Sequence, residues 1–476
     1  MASTSISSRS LLDLLGQWRD AGPSYEALAD RIRLLVIDGR LLSGVRLPAE
    51  RELAAQLEVS RTTVTAAYQR LRDQGFAVSR QGSGTRTVIP GTAPTSPAPP
   101  TGLLDFTKAA LPAPSMMSDA VRRASESLTP LLGDSGYDTI GQPALRAAIA
   151  RRYTERGLPT DPDEVLVTVG AQQGITLIGR ALVSRGDRVL IEVPTYPHAY
   201  DALSAAGARL VTAPVSVDSL DGWDVDAFES VVRRTSPAVA YVMPDFQNPT
   251  GRSMTASVRR RILDAAAAQG TVVIADETPG ELDIDRPETL PPLAAVAGGA
   301  QVITLGSASK TMWGGLRVGW VRAERSVIRR LHAVRVNMDL GTPVLDQLVV
   351  AELLEDYGRV LAERRGALRA GRDATERVIA EAFPDWVVPH VHGGLALWVN
   401  IGAPVSSQLA LAARSEGLLV TAGPRFGVDG AFERFLRIPI TYAESDVERA
   451  VSALQRAWPA AARHPLPEAG LLAAVV

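Results

Sequence analysis

Between Tyr25 and Arg40 apolar side chains return at positions 28, 32, 35 and 36, the spacing that lines one face of a helix. Pro48 punctuates, and Ala49–Leu57 reads as a second, short helix. Ser60 is a good N-cap and predicts a third helix over Arg61–Gln74. Val64, Ala67, Tyr68 and Leu71 share one face of it; Arg61, Thr62, Thr65, Gln69 and Arg72 look elsewhere, so basic and hydroxyl groups gather on its outer side and at its N-terminal end. Phe76–Arg80 and Thr85–Val88 follow as two short strands around the Gly-rich turn Gln81-Gly82-Ser83-Gly84, with Arg80 and Arg86 on its flanks.

The pattern then breaks. Val88–Gly102 contains five prolines with Thr, Ser, Gly and Ala and almost nothing that could form a core, the composition of an extended linker. Beyond it β-branched runs alternate with helical stretches. Strands are predicted at Val165–Val169, Arg188–Val193, Val239–Met243, Thr271–Ala275, Val302–Leu305 and Val318–Val321, which indicates a mostly parallel α/β sheet. The expected organisation is a small α+β domain within residues 1–88 that includes an N-terminal extension, a linker at 89–102, a large α/β domain at 103–460 with a smaller C-terminal subdomain, and a tail at 461–476.

Composition narrows the chemistry. The chain has no cysteine, which excludes disulfides, Cys-ligated zinc and thiol nucleophiles. The five histidines lack metal-pair spacing on any predicted helix; His390 and His392 alternate on one strand face and read as core or surface residues, so no metal site is expected. No signal-peptide core and no apolar run of membrane length is visible, and a cytoplasmic protein with no membrane partner is expected. Net charge is −2, yet residues 24–90 hold ten arginines against seven acidic residues, which points to an anion-binding module there. Only two lysines stand in the chain, Lys108 and Lys310. Arginine cannot form a Schiff base, whereas a buried lysine can be tuned to attack a carbonyl, so Lys310 is a candidate for amine chemistry.

A helix N-terminus carrying Ser60, Arg61, Thr62 and Thr63 suits phosphates and base edges. Solvated charges on a three-helix adaptor are the bland alternative. The runs Leu47-Pro48-Ala49-Glu50-Arg51-Glu52-Leu53-Ala54, Val59-Ser60-Arg61-Thr62-Thr63-Val64, Ala67-Tyr68 and Gly82-Ser83-Gly84-Thr85 closely resemble the winged helix-turn-helix of GntR-type regulators. The resemblance implies dimeric binding to a double-stranded DNA operator, with contacts from Arg51, Ser60, Arg61, Thr62, Thr63 and a wing that includes Arg80, Gly82 and Ser83.

Polar residues gather just after the predicted strands of the large domain, where such folds place their sites. Gly170-Ala171-Gln172 opens a helix whose amides could hold a phosphate; Tyr196 offers a ring, Asn248 a donor and Asp276 a carboxylate. Ser307, Ser309, Lys310 and Arg317 add hydroxyls, an amine and a guanidinium within eleven positions. Pyridoxal 5'-phosphate needs this set: a Schiff-base amine, an acid for the pyridine nitrogen, a ring sandwich and a phosphate cup.

Asn248-Pro249-Thr250-Gly251 and Ser307-x-Ser309-Lys310 followed by Gly315-Leu316-Arg317 resemble fold-type I aminotransferases. That resemblance implies Lys310 as the Schiff-base lysine, Asp276 on the pyridine nitrogen, Tyr196 stacked on the ring and Asn248 on its hydroxyl. It implies Gly170, Ala171, Gln172, Ser307, Ser309 and Arg317 as the phosphate cup, Tyr137 reaching the partner subunit's phosphate in a homodimer, and Arg437 gripping a substrate carboxylate. A GntR-type reader on an aminotransferase-like body is similar to MocR-type transcriptional regulators. One departure stands out: Thr278 occupies the position where these regulators and many aminotransferases carry a tyrosine against the cofactor hydroxyl. The sequence therefore reads as a regulator sensing a small amine, an amino acid or the cofactor itself, with two alternatives open, an active aminotransferase carrying a DNA-binding module and a body kept only as a dimerisation scaffold.

Overall fold

The computed structural model describes residues 5–15, 18, 23–37, 41, 44–80, 84–88, 103–216, 222–427 and 431–462. The linker 89–102, the wing tip Gln81-Gly82-Ser83, the side chain of Arg80 and the tail from residue 463 lie outside the described residues.

The N-terminal unit packs α1 (Ser8–Leu15), α2 (Ser24–Ile37), α3 (Glu50–Leu57) and α4 (Arg61–Asp73) against the antiparallel pair β1 (Ala77–Arg80) and β2 (Gly84–Thr87). The expected stripe holds: Val64, Ala67, Tyr68 and Leu71 are buried in one cluster with Leu28, Ile32, Leu35, Leu53 and Leu57. Ser60 caps α4 by accepting from the Thr63 amide at 3.1 Å. Tyr68 hangs its ring in the core and donates its hydroxyl to the Pro48 carbonyl at 3.0 Å, tying α4 to the turn before α3. That arrangement leaves Arg51, Arg61 and Thr62 exposed on the outer side. The α1 helix lies outside the elements predicted from periodicity.

After the linker, β3 (Leu104–Asp105) comes first. The body is then built on a seven-stranded sheet of β4 (Val165–Thr168), β5 (Arg188–Val193), β6 (Arg209–Pro214), β7 (Val239–Val242), β8 (Val272–Asp276), β9 (Val302–Ser307) and β10 (Gly319–Arg322), in the order β4-β10-β9-β8-β7-β5-β6. All neighbours are parallel except β10, which runs against both β4 and β9. Helices cover both faces and give two large apolar clusters. The edge strand β6 escapes the sequence pattern because half of its residues face outward and its apolar run is short.

The smaller subdomain holds β11 (Ala396–Asn400), β12 (Leu418–Leu419), β13 (Thr421–Ala422) and β14 (Phe435–Pro439). The strands β11, β14 and β13 form an antiparallel sheet, and β12 pairs in parallel with β3. The helices Tyr357–Ala382, Ser406–Ser415 and Glu444–Ala462 pack on them. Leu411 of the second of these helices packs against the core of the N-terminal unit.

Removing the Tyr68 hydroxyl by Tyr68→Phe leaves the Pro48 carbonyl without its buried donor and is expected to cost about 1 kcal/mol. The measurement is the urea transition of the N-terminal unit; an unshifted midpoint would rule out this tie.

Candidate functional site

Six strands of the sheet, β4 to β9, run the same way and β10 runs against them; the site forms at the C-terminal ends of the six, where β10 begins, beside β11 and β14. The turn after β4 approaches the turn before β10 closely. Gly170 has φ +74°, and a Cβ there would lie 2.7 Å from Arg317 Nη2. A Cβ on Gly319 would lie 2.5 Å from the Gly170 backbone. Two glycines thus let the Arg317 guanidinium reach the N-terminus of the thirteen-residue helix Gly170–Leu182.

Gly170, Ala171, Gln172, Tyr196, Asn248, Asp276, Ser307, Ser309, Lys310, Arg317 and Arg437 line one cavity of about 210 Å³, and Thr278 lines it too. Every pocket residue expected from sequence is brought together there except Tyr137, which is 73% exposed and outside the lining.

Asp276 ends β8 almost fully buried. One oxygen accepts the Tyr241 hydroxyl at 2.5 Å and the other accepts the Thr278 amide at 3.0 Å. Burial, then the neighbouring Asp276 charge, raises the Tyr241 phenol well above its ordinary range, so it remains a donor. Burial likewise pushes the Tyr196 phenol up to about 12. Beneath the loop that carries Asn248 lies Glu192, fully buried and pushed up to about 8 by desolvation. It accepts from Trp223 Nε1 at 2.7 Å and the Met243 amide at 3.1 Å. Next to it Gln247 donates to the Pro194 carbonyl at 2.7 Å and accepts from the Thr250 hydroxyl at 2.7 Å, fixing the loop that follows β7.

Lys310 Nζ donates to the Ala109 carbonyl at 3.1 Å. Its pKa falls to about 8, first through burial, then through Arg437 and Arg317, against the opposing pull of Asp276. Arg437, on β14, is 8% exposed; burial lowers it to about 10, and its ring partner is Phe426 at 5.5 Å. Its Nη2 donates to the Thr107 carbonyl, while its Nε is buried without a partner. A cationic pocket with an unpaired guanidinium donor, a helix N-terminus and a buried carboxylate fits a phosphorylated pyridine-type ligand and an adduct of it that bears a carboxylate.

Sequence reasoning missed Ala109, Leu395 and Ala396, which close the cavity from the segment after the linker and from β11. Ala109 acts through its carbonyl, for which no residue type is a signal. Tyr241 was also missed; its alternation partner on a central strand reads as core. Elsewhere, His390 and His392 are exposed and lie with Asp285 so that ligand-type atoms fall within 4.8 Å of one another. Each is engaged by an acid, His390 with Glu376 and His392 with Asp285, both at 3.0 Å, and Asp285 also pairs with Arg372 at 2.8 Å.

On the N-terminal unit Arg61 is 71% exposed at the start of α4, 3.8 Å from Glu50. The Ser60 hydroxyl lies 2.6 Å from Thr62 Oγ1 and 2.8 Å from Thr63 Oγ1, a cluster of hydroxyls at the first turn of the helix. Arg51 stands exposed on α3. Among the described residues no helix is long and apolar enough to cross a membrane.

Fold and pocket together define a fold-type I aminotransferase domain with a DNA-binding head. Residues 117–454 match the family "Aminotransferase class I and II", and residues 24–87 match "Bacterial regulatory proteins, gntR family". The chain belongs to the aminotransferase class I and II family and, with its gntR-family unit, has the two-part composition of MocR-type regulators. It is 32% identical to a 2-aminoadipate transaminase of Thermus thermophilus over 75% of this chain and 89% of that protein. It is 26% identical to the uncharacterized HTH-type transcriptional regulator YisV of Bacillus subtilis over 92% of this chain and 97% of that protein. The crystal structure of LysN, an alpha-aminoadipate aminotransferase from Thermus thermophilus complexed with N-(5'-phosphopyridoxyl)-L-leucine, superposes with a TM-score of 0.70 at 30% identity, covering 76% of this chain and 94% of that one.

Two outcomes follow from the geometry. Gly170→Ala places a methyl against Arg317 at a positive φ and is expected to weaken cofactor affinity at least about tenfold, read by absorbance titration. With Lys310 at about 8, the neutral amine fraction rises about tenfold per pH unit below that value and levels off above it. The rate of cofactor capture, followed by stopped-flow absorbance, should trace the same curve; a rate that keeps rising about tenfold per unit from pH 8 to 10 would exclude the lowered lysine.

Proposed function

We propose that this protein is a pyridoxal-phosphate-dependent transcription regulator whose aminotransferase-like body senses a small amine, an amino acid or the cofactor itself and adjusts DNA binding by the N-terminal unit. The observation that carries the reading is one pocket lined by Asp276, Lys310, Arg317 and Arg437 on the same chain as an exposed Arg- and hydroxyl-bearing helix start. Bound pyridoxal phosphate supplies a carbonyl carbon with which amines condense. Lys310, as its neutral form, is the amine that holds it. Asp276, which accepts from the Tyr241 hydroxyl and the Thr278 amide, would pair with the pyridine nitrogen. The Tyr196 ring covers one face, and Asn248 donates to the ring hydroxyl. The amides of Gly170 and Ala171 with Gln172, Ser307, Ser309 and Arg317 cradle the phosphate. Arg437 takes a carboxylate on its free Nε and on Nη2.

Tyr137, on an exposed loop, is assigned to the partner subunit's phosphate cup, which makes a homodimer the working unit. Arg51, Ser60, Arg61, Thr62 and Thr63 are assigned to operator DNA, together with the wing at Arg80, Gly82 and Ser83. Thr278 supports sensing over turnover, because no phenol from that position meets the ring hydroxyl, where a tyrosine would help set its proton affinity. A second reading, an active aminotransferase, is favoured by the presence of Lys310, Asp276 and Arg437 in one pocket and by the 32% identity to a transaminase.

Three measurements separate these readings. Purified protein mixed with an amino donor and a keto acid should give a spectral change without amino-acid product, and the same donor should alter DNA affinity; steady product formation with unchanged affinity would overturn the regulator. Lys310→Ala should abolish the visible absorbance of the lysine-held cofactor and remove the DNA response while the N-terminal unit still binds DNA. Arg61→Ala should weaken operator binding and reduce the slope of log K against log salt by about one; an unchanged slope would remove Arg61 from the phosphate contacts.

A further inference from the structure

Helical metal-pair spacing is absent from the histidines of this chain, yet two of them meet in the fold by another route. His390 and His392 stand two positions apart in the non-helical stretch before β11, the spacing that sends extended side chains to one face. Their rings meet edge to face with centroids 5.2 Å apart. The chain beside them is the run after β8: Asp283 and Gly393 form an antiparallel bridge, and the Ile284 amide donates to the His392 carbonyl at 2.9 Å. That pairing brings the Asp285 carboxylate, 107 positions from His392, to the same place. One ligand atom from each of the three residues lies within 4.8 Å of the other two.

The way these residues are held separates them from a chance meeting of surface charges. Arg372, 4% exposed on the helix Tyr357–Ala382, places one nitrogen 2.9 and 2.8 Å from the two Asp285 oxygens. The same nitrogen donates to the Val391 carbonyl at 2.9 Å, between the two histidines. One buried side chain thus fixes both the carboxylate and the backbone that carries the imidazoles. Asp373 meets Arg372 Nε at 2.9 Å, so Asp285 is not its sole counter-ion. One turn further along, Glu376 holds His390 Nδ1 at 3.0 Å with one oxygen, and its other oxygen is buried without a partner. His392 Nδ1 lies 3.0 Å from Asp285 Oδ1.

We propose that His390, His392 and Asp285 bind one divalent transition-metal ion of the zinc class, with water completing its shell. Two imidazoles and a carboxylate suit zinc, copper, nickel and cobalt, whereas calcium and magnesium prefer shells built of oxygen alone. The Glu376 carboxylate on Nδ1 fixes the His390 tautomer, turns Nε2 into the metal-binding nitrogen and raises its basicity. The cation in turn offsets the charge on the Glu376 oxygen that lacks a donor. Both rings are about half exposed, so the ion is reachable from solvent. The site backs onto a wall of the cofactor cavity: a Cβ on Gly393 would lie 2.4 Å from the ring of Phe246, which lines that cavity. An ion there joins the run after β8 to the chain entering β11 without entering the pocket. The proposal stands independently of the regulator reading.

Untagged full-length protein, loaded with pyridoxal phosphate and stripped of metals by a chelator that is then removed, is titrated with Zn²⁺ in a calorimeter. One ion per chain is expected, and His390→Gln or His392→Gln should each weaken it at least about tenfold. His198 also faces an acid, Asp201 at 3.8 Å, and serves as the comparison: His198→Gln should leave the affinity unchanged. Parent-like affinity in either of the first two variants, or an equal loss in His198→Gln, would overturn the site. Cu²⁺ added at one equivalent gives a second reading, because pulsed EPR counts the imidazoles bound to it. Two are expected in the parent and one in each of the His390 and His392 variants; fewer than two in the parent places the ion elsewhere and overturns the assignment. Glu376→Gln should keep the count at two and weaken Zn²⁺ about tenfold; unchanged affinity would overturn the part assigned to Glu376.

Discussion

Lys310, Arg317 and Arg437 converge on a cavity whose lining carries a single carboxylate, Asp276. A buried excess of positive charge is unfavourable, and the protein relieves it in two ways. It lowers the proton affinity of both enclosed cations, the lysine to about 8 and Arg437 to about 10. It also lends them backbone carbonyls, from Ala109 and Thr107. Neither device supplies full negative charge. A ligand that brings a phosphate near Arg317 and a carboxylate near Arg437 would complete the balance.

The same constraint orders the surroundings. Asp276 is held by two donors, Tyr241 on one side and the Thr278 amide on the other. The positions of those donors depend on central strands packed on both faces, where Ile274, Ile303 and Leu305 are fully buried. Glu192 and Gln247 play a parallel part for the loop after β7, trading one buried carboxyl for several hydrogen bonds. A polar network of this kind specifies a geometry only if its members are satisfied together, so the second layer is as much part of the site as the residues that line it.

Joining such a pocket to a gntR-family unit places two clusters of cationic and N–H or O–H donor groups on one chain, one buried and one exposed. The buried one gains strength from low dielectric surroundings; the exposed one, around Arg61 and the hydroxyls of Ser60, Thr62 and Thr63, is open to solvent and therefore sensitive to salt. Leu411, packed against the core of the N-terminal unit, and the β3–β12 pairing tie the linker's two ends to the smaller subdomain.

Much of this was legible in the chain. The stripe Val64, Ala67, Tyr68, Leu71 and the cap Ser60 are local features, governed by helix periodicity and by one hydroxyl next to free amides. The pocket lining was legible for a similar reason: in a parallel sheet the residues just past each strand must meet at one edge, so motifs at strand ends converge wherever the strands pair. Other features depended on long-range placement. Tyr241 looks like any core residue on a central strand until β7 and β8 pair and bring its hydroxyl to Asp276. The β6 edge and the smaller subdomain carry short or half-exposed runs whose identity rests on their neighbours. The carbonyls of Thr107 and Ala109 have no sequence signature, since every residue offers one, and their role arises from a segment laid across cations over two hundred positions away. Side-chain chemistry is written residue by residue, whereas the use of the backbone as a ligand is settled by packing.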